Sequence, residues 1–321
     1  MRALRGSNAY EGIIWCLIFV VLDACQAVYL GAYLQEIDSF LLGGLVFGSA
    51  AVFCLCWSAI RTPHQLRLAC AEWQDVLGLN LTVTFGWLLY FFGVQLIEPA
   101  VAFTLFSGAI PVATVALSYL GVAEAEAPRN RSEWVGLGII TSALVFLAGI
   151  TLLGFSGFVR GEETAAISGL IASFVGGVFI TGMLLYGQRL HRKGLGPTTQ
   201  FGLRFPLFLG ATFVGYMLGL DAKGPVTWQD LLVAYAFGML LLAFPIYAVQ
   251  KAISLTTSLT IAAVASTAPL LIFVLQMIEG RVDVSLLTSA GLIVFFGGSL
   301  VSLSGAAAAI SKPHPDTNAA P

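Results

Sequence analysis

The sequence predicts an all-α, polytopic membrane protein of ten transmembrane helices in two inverted five-helix repeats. Three observations carry that prediction. The first is composition: of 321 residues, 58% are apolar and only 10% charged, with a mean hydropathy of +0.91. Soluble domains carry roughly 25% charged residues, and a water-facing surface cannot be assembled from so few. The second is a series of ten apolar runs, each near the ~20 residues that a helix needs to cross about 30 Å of hydrocarbon. The third is a set of polar landmarks that recur at one fixed offset along the chain.

The runs span 11–34, 39–60, 74–96, 99–120, 133–155, 165–188, 198–220, 229–250, 256–279 and 284–308. Short connections with turn and charge signals separate them, among them RTPHQLR, EAEAPRNRSE, HRKGLGP and DAKGPVTWQD. The basic start MRALRGSNAYEG leads into an apolar run too long for a signal peptide and containing Asp23, so it opens the first span. The polar, proline-rich tail, 311–321, is expected to be disordered and cytoplasmic.

Lys and Arg fix the orientation. With the N-terminus inside, Arg2, Arg5, Arg61, Arg67, Arg129, Arg131, Arg189, Arg192, Lys193, Lys251 and Lys312 all fall on inner segments. Only Arg160, Lys223 and Arg281 fall outside, and Arg204 lies within span seven. Both termini are therefore expected in the cytoplasm, with the chain multi-pass in the inner (plasma) membrane.

The repeat is read from Trp73-Gln74-Asp75, which returns 155 residues later as Trp228-Gln229-Asp230. At the same offset Gln95 meets Gln250, Glu124 meets Glu279 and Gly136 meets Gly291. Five spans per copy is an odd number, so the second copy enters the membrane from the opposite side. This divides the chain into repeats at 1–160 and 161–310. Inverted repeats are a recurring plan of secondary transporters, with the substrate site near the midplane between the copies and alternating access through their rocking. The tripeptide itself reads as a scaffold mark.

Several residues within spans are candidates for function. Asp23 sits mid-span, where a carboxylate costs ~2.5–3.5 kcal/mol on insertion scales and so faces the bundle interior; it is a candidate polar contact or coupling group. Arg204, near the inner third of span seven, is expected to snorkel to the cytoplasmic face. Span three carries Asn80, Thr84, Trp87 and Phe91 on one helical face, with Tyr90 beside them. An amide and a hydroxyl alongside aromatic walls suit a neutral zwitterion bearing a ring; ordinary helix packing explains the same stripe. The inverted counterpart, span eight, offers Tyr235 at the position of Asn80 and then Met239, and span four adds Phe103, Ser107 and Pro111 at i, i+4 and i+8. Pro111 and Pro269 are candidate hinges.

The end of span four, PVATVALSYLGVAE, places Pro111 thirteen residues before Glu124. That pattern, with ten spans in an inverted five-plus-five arrangement over 9–308, resembles the drug/metabolite transporter superfamily and its EamA-type members. The second copy departs from it, Pro269 preceding Glu279 by ten. Length and aromatic content look most like the YddG-type branch. The resemblance implies export of aromatic amino acids and related metabolites.

Other classes find little support. No Walker loop is present for direct use of ATP, and His64, His191 and His314 are scattered through polar segments, so no metal or other cofactor is expected. A net charge of −2 without a basic block offers nothing to nucleic acid. The expected partners are a small amino-acid-like substrate and the lipid bilayer, with a monomer plausible. The expected function is a non-enzymatic secondary exporter of small neutral metabolites. The alternatives are a carrier of another metabolite or drug-like cation, and a membrane-embedded receptor or enzyme without flux.

Overall fold

The computed structural model describes residues 2–161, 163–255, 264–280 and 282–311. The first part of expected span nine, 256–263, and nearly all of the tail expected to be disordered lie outside the described residues. All regular structure among the described residues is helical. The helices are α1 (Arg2–Cys25), α2 (Gly31–Glu36), α3 (Ser39–Arg61), α4 (Pro63–Ala71), α5 (Trp73–Leu96), α6 (Pro99–Tyr119) and α7 (Arg131–Leu152). They continue as α8 (Glu163–Arg192), α9 (Pro197–Leu203), α10 (Pro206–Met217), α11 (Trp228–Gly238), α12 (Phe244–Leu255), α13 (Ala268–Glu279) and α14 (Leu286–Ser311). Gln26–Leu30 and Met239–Ala243 are π-helical and join α1 to α2 and α11 to α12.

Eight helical stretches among the described residues are long and apolar enough to cross a membrane, and α13 is a shorter apolar helix. The chain is thus a polytopic, multi-pass membrane protein. Expected span seven is interrupted: α9 stops at Leu203 and α10 begins at Pro206. Proline lacks the N–H that would continue the helical ladder. Pro111, by contrast, lies inside the unbroken α6. Pro269 is in the first turn of α13, where a missing N–H breaks no helical bond. The connection after α3 holds a further helix, α4, whose Pro63 opens it at the first position.

The helices pair in a fixed scheme. α5 packs along α8, α7 along α14, α1 against α12, α3 against α9 and α10, and α6 against both α8 and α13. Glycine makes the closest of these approaches. A Cβ on Gly136 of α7 would stand 2.4 Å from the Ser302 amide nitrogen and 2.7 Å from the Gly298 carbonyl of α14. Lipid tails are as apolar as leucine, so such helices associate by close backbone contact rather than by the hydrophobic effect.

The two copies of the Trp-Gln-Asp signpost do different work. Asp75 lies between Arg189 (3.1 Å) and Lys193 (2.8 Å). Asp230 closes the start of α11, its amide donating to the Thr227 hydroxyl.

At one end of the bundle Arg189 grips Glu124 through two nitrogens, Nε at 2.9 Å and Nη2 at 2.6 Å. Lys193 joins Glu72 to Asp75. Hydrogen bonds from Arg189 hold the Glu124 carboxyl below its ordinary range, and the bond to Asp75 raises the Lys193 ammonium above its own. At the opposite end Glu98, fully buried ahead of α6, accepts from the Gly157 amide (2.8 Å), the Thr288 hydroxyl (2.9 Å) and Gln276. Burial pushes this carboxyl up, against the pull of those three donors. At that same end Lys223 donates to Gln95, Asp221 and the Leu34 carbonyl.

Substituting Gly136→Val is expected to lower the melting temperature in detergent by the equivalent of ~1–3 kcal/mol through overpacking. Gly138→Ala, two residues along where a Cβ meets nothing within 4 Å, leaves it unchanged or slightly raised.

Candidate functional site

The interruption of span seven sets the local architecture. Between Leu203 and Leu207 one helical hydrogen bond is replaced by a side chain. Asn80 of α5 donates through Nδ2 to the Leu203 carbonyl (2.7 Å) and accepts at Oδ1 from the Leu207 amide (3.1 Å). The amide group stands in the gap between a donor and an acceptor that would otherwise meet each other. In a medium with no water to satisfy them, both groups need that partner.

Above Asn80 the stripe on α5 turns into the packed interior. Phe47 of α3 stacks on Phe205 with ring centroids 4.5 Å apart and meets Trp87 at 5.1 Å and Phe208 edge-on at 5.3 Å. Trp87 contacts Phe91 at 5.6 Å, and Tyr90 lies 4.5 Å from Phe106. Each such pair adds ~0.5–1.5 kcal/mol beyond its area. Phe103 is buried, and Ser107 lies one turn along α6 with its hydroxyl 3.5 Å from the Thr104 carbonyl. The aromatic half of the predicted stripe therefore packs helices together. Its polar members differ: Asn80 is committed to the break, whereas the buried Thr84 and Tyr90 hydroxyls have no hydrogen-bond partner among the described residues.

A cavity of about 660 Å³ opens elsewhere, between α3, α9 and the π-helical junction of α11 with α12. Ligand pockets are typically about 300–1,000 Å³, apolar, with a few placed polar groups. Phe53, Trp57, Phe201, Phe244, Tyr247 and Met239 form its walls, with Ser49 and Thr198 among its polar groups. Tyr235 donates to Ser49 at 2.9 Å, and the Ser49 hydroxyl lies 3.4 Å from the Met239 sulfur. So Met239 lines the cavity, Tyr235 orients one of its hydroxyls, and the α5 and α6 candidates line none of it. Phe53 and Trp57, one turn apart on α3, were not among the sequence candidates; their i, i+4 aromatic spacing was the available signal.

The two ionisable candidates within the expected spans, Asp23 and Arg204, lie outside the cavity lining. Asp23 is half-buried, just before the first π-helical segment, and has no hydrogen bond or ion pair among the described residues. Its carboxyl and the Tyr90 phenol are electrostatic neighbours. π-Helical turns recur at functional positions, and the two in this chain touch each other. Arg204 does not snorkel. It is 8% exposed, its guanidinium 5.4 Å over the Phe201 ring and Nη1 4.0 Å from the Met183 sulfur. Arg204 follows the last residue of α9, at the helix break, and its side chain turns into the protein.

With this geometry, comparison with known proteins becomes informative. Residues 10–149 match the EamA-like transporter family. The match covers a little under half of the chain. It reaches from α1 into the last turn of α7. No curated protein matches the chain. Among solved structures, one described simply as "Crystal structure of protein" aligns with a TM-score of 0.60 at 18% identity, over 95% of this chain and all of that one. At that identity the likeness concerns the fold alone.

Asn80→Ala leaves the Leu203 carbonyl and the Leu207 amide without a partner, each worth ~1–3 kcal/mol when buried. A loss of melting temperature corresponding to at least one such group is expected. Asn80→Asp, which sets a carboxylate oxygen against the Leu203 carbonyl, should lose at least as much as Asn80→Ala.

Proposed function

We propose that the chain is a secondary transporter that exports small neutral metabolites, aromatic amino acids foremost, by alternating access between two inverted repeats, 1–160 and 161–310. The aromatic-walled cavity between α3, α9 and α12 carries the substrate reading. Its five rings and few hydroxyls match a flat, apolar side chain attached to a small polar group. The EamA-like match supports transport, and the resemblance to YddG-type exporters points to the same substrates.

The helix pairing supports the repeat. If spans one to five correspond to six to ten, the packing of span three on six becomes that of span eight on one. The pairs two–seven, four–nine and five–ten map onto themselves, and these are the contacts α5–α8, α1–α12, α3–α9/α10, α6–α13 and α7–α14. With both termini in the cytoplasm, the cavity opens in the cytoplasmic half. The Glu98 and Lys223 clusters then tie the two copies at the outer face, and Arg189 and Lys193 tie them at the inner one. Exchange of these ties is the proposed basis of rocking, with Pro111 inside α6 and Pro269 at the start of α13 as hinge positions. A drug-like cation is the weaker reading, because Arg204 lies against the cavity wall at Phe201.

Counterflow in proteoliposomes loaded with unlabelled tryptophan or phenylalanine tests this directly. Labelled amino acid should accumulate transiently above protein-free vesicles, and Trp57→Ala should weaken apparent affinity about tenfold, the loss of one aromatic wall. Flux of sugars, purines or cations in place of these amino acids would sink the substrate class and leave a carrier. Absence of any flux by folded protein would favour a receptor or an enzyme.

Asp23 is the group we assign to coupling, on its lack of a partner and its place beside the π-helical contact. An imposed pH gradient is expected to drive uptake by the wild type and not by Asp23→Asn, while counterflow survives in both. Equal response of the two proteins would remove the carboxyl from coupling.

A further inference from the structure

We propose that Arg204 is the receptor for the carboxylate of the transported substrate, standing behind the aromatic wall of the cavity and reached when the Phe201 ring turns aside. The assignment rests on the carrier reading above and names the chemistry of one pole of its substrate.

A guanidinium within the bundle is costly unless something answers its charge. Here no carboxylate among the described residues does so: Arg204 forms no ion pair, and its Nε is buried without a hydrogen-bond partner. The ring of Phe201 and the Met183 sulfur are soft, uncharged neighbours. Nor is the arginine needed to hold the helix break. Asn80 already satisfies the backbone there, and the Arg204 side chain takes up no backbone carbonyl. A structural arginine would be expected to do one or the other.

The position is specific. Phe201, whose face carries the guanidinium, is also a wall of the 660 Å³ cavity. Cys54, another wall residue, is an electrostatic neighbour of Arg204. A rotation of one ring would thus bring a planar fork of N–H donors to the edge of an aromatic chamber. Guanidinium forks match carboxylates bidentately. An aryl-bearing carboxylate then meets rings along its apolar end and the cation at its anionic end, and supplies the missing counter-charge only while bound.

The test uses the full chain in phosphatidylcholine nanodiscs, with equilibrium dialysis of 3-phenylpropanoate and of its uncharged amide. These probes share the ring and differ only at the carboxylate. Wild-type protein should bind the acid about tenfold or more tightly than the amide, the worth of a charge-assisted hydrogen bond. Arg204→Met should bind the two alike, and Arg204→Lys should keep part of the preference. Arg204→Met removes an unpaired buried charge and should melt no lower than wild type, which separates loss of the site from loss of the fold. Equal binding by wild type, no acid binding, or a preference surviving in Arg204→Met would each overturn the proposal. So would abolition of acid binding by phosphatidylglycerol in the nanodisc, since the guanidinium would then be a lipid-headgroup site. Phenylalanine counterflow unchanged in Arg204→Met would keep the carrier and reject this site. Arg204-dependent acid binding without flux of any substrate would keep the carboxylate site and reject the carrier.

Discussion

The bond between the Leu207 amide and the Leu203 carbonyl that span seven lacks, and the Asn80 side chain that replaces it, show the constraint under which the whole molecule is built. Hydrocarbon offers no hydrogen bonds, so each interruption of a helix has to be answered from within the protein. Here the answer comes from another helix. Asn80 thereby fixes the level of α5 against α9 and α10, and with it the level at which Phe205 and Phe208 meet Phe47. The cavity and the buried arginine both adjoin that break, so their geometry depends on it.

The same constraint explains where charge is spent. With only 15 Lys and Arg and 17 Asp and Glu in the chain, few side chains are available to knit the helix ends. Glu98 gathers α6, α13, α14 and the loop at Gly157 around one carboxylate. Arg189 holds α5, α8 and the loop at Glu124 at the opposite end. Between these ends the bundle is held by glycine-mediated backbone contact and ring packing, neither of which carries charge. Asp23 and Arg204 stand apart because neither has a charged partner among the described residues.

Much of the fold was legible in the sequence, because the bilayer imposes a length and a polarity on every span. Apolar runs, few charges and basic segments on one side follow from the solvent rather than from neighbouring helices. The site was legible only in part. Met239 lines the cavity and Tyr235 bonds one of its hydroxyls, while Trp87 and Phe91, as good a stripe on paper, pack against Phe47. A periodic pattern gives the face a residue shares, and it is silent on whether that face meets a partner helix or an opening. Phe53 and Trp57 went unremarked for the converse reason: aromatics near a membrane interface are ordinary there.

The sequence by itself determined that the chain is helical, crosses a membrane repeatedly and carries two ionisable residues, Asp23 and Arg204, away from the ends of its apolar spans. These are properties of residue type against solvent, and they need no knowledge of which helices touch. Tertiary structure alone decided that Arg204 turns inward to the Phe201 ring instead of reaching for water, and that Asn80 closes a helix break. Both outcomes depend on contacts 21 and more than 120 residues apart in the chain, Met183 with Arg204 and Asn80 with Leu203. No local pattern encodes which distant helix will supply or withhold a partner, and in hydrocarbon that supply fixes the role of a polar side chain.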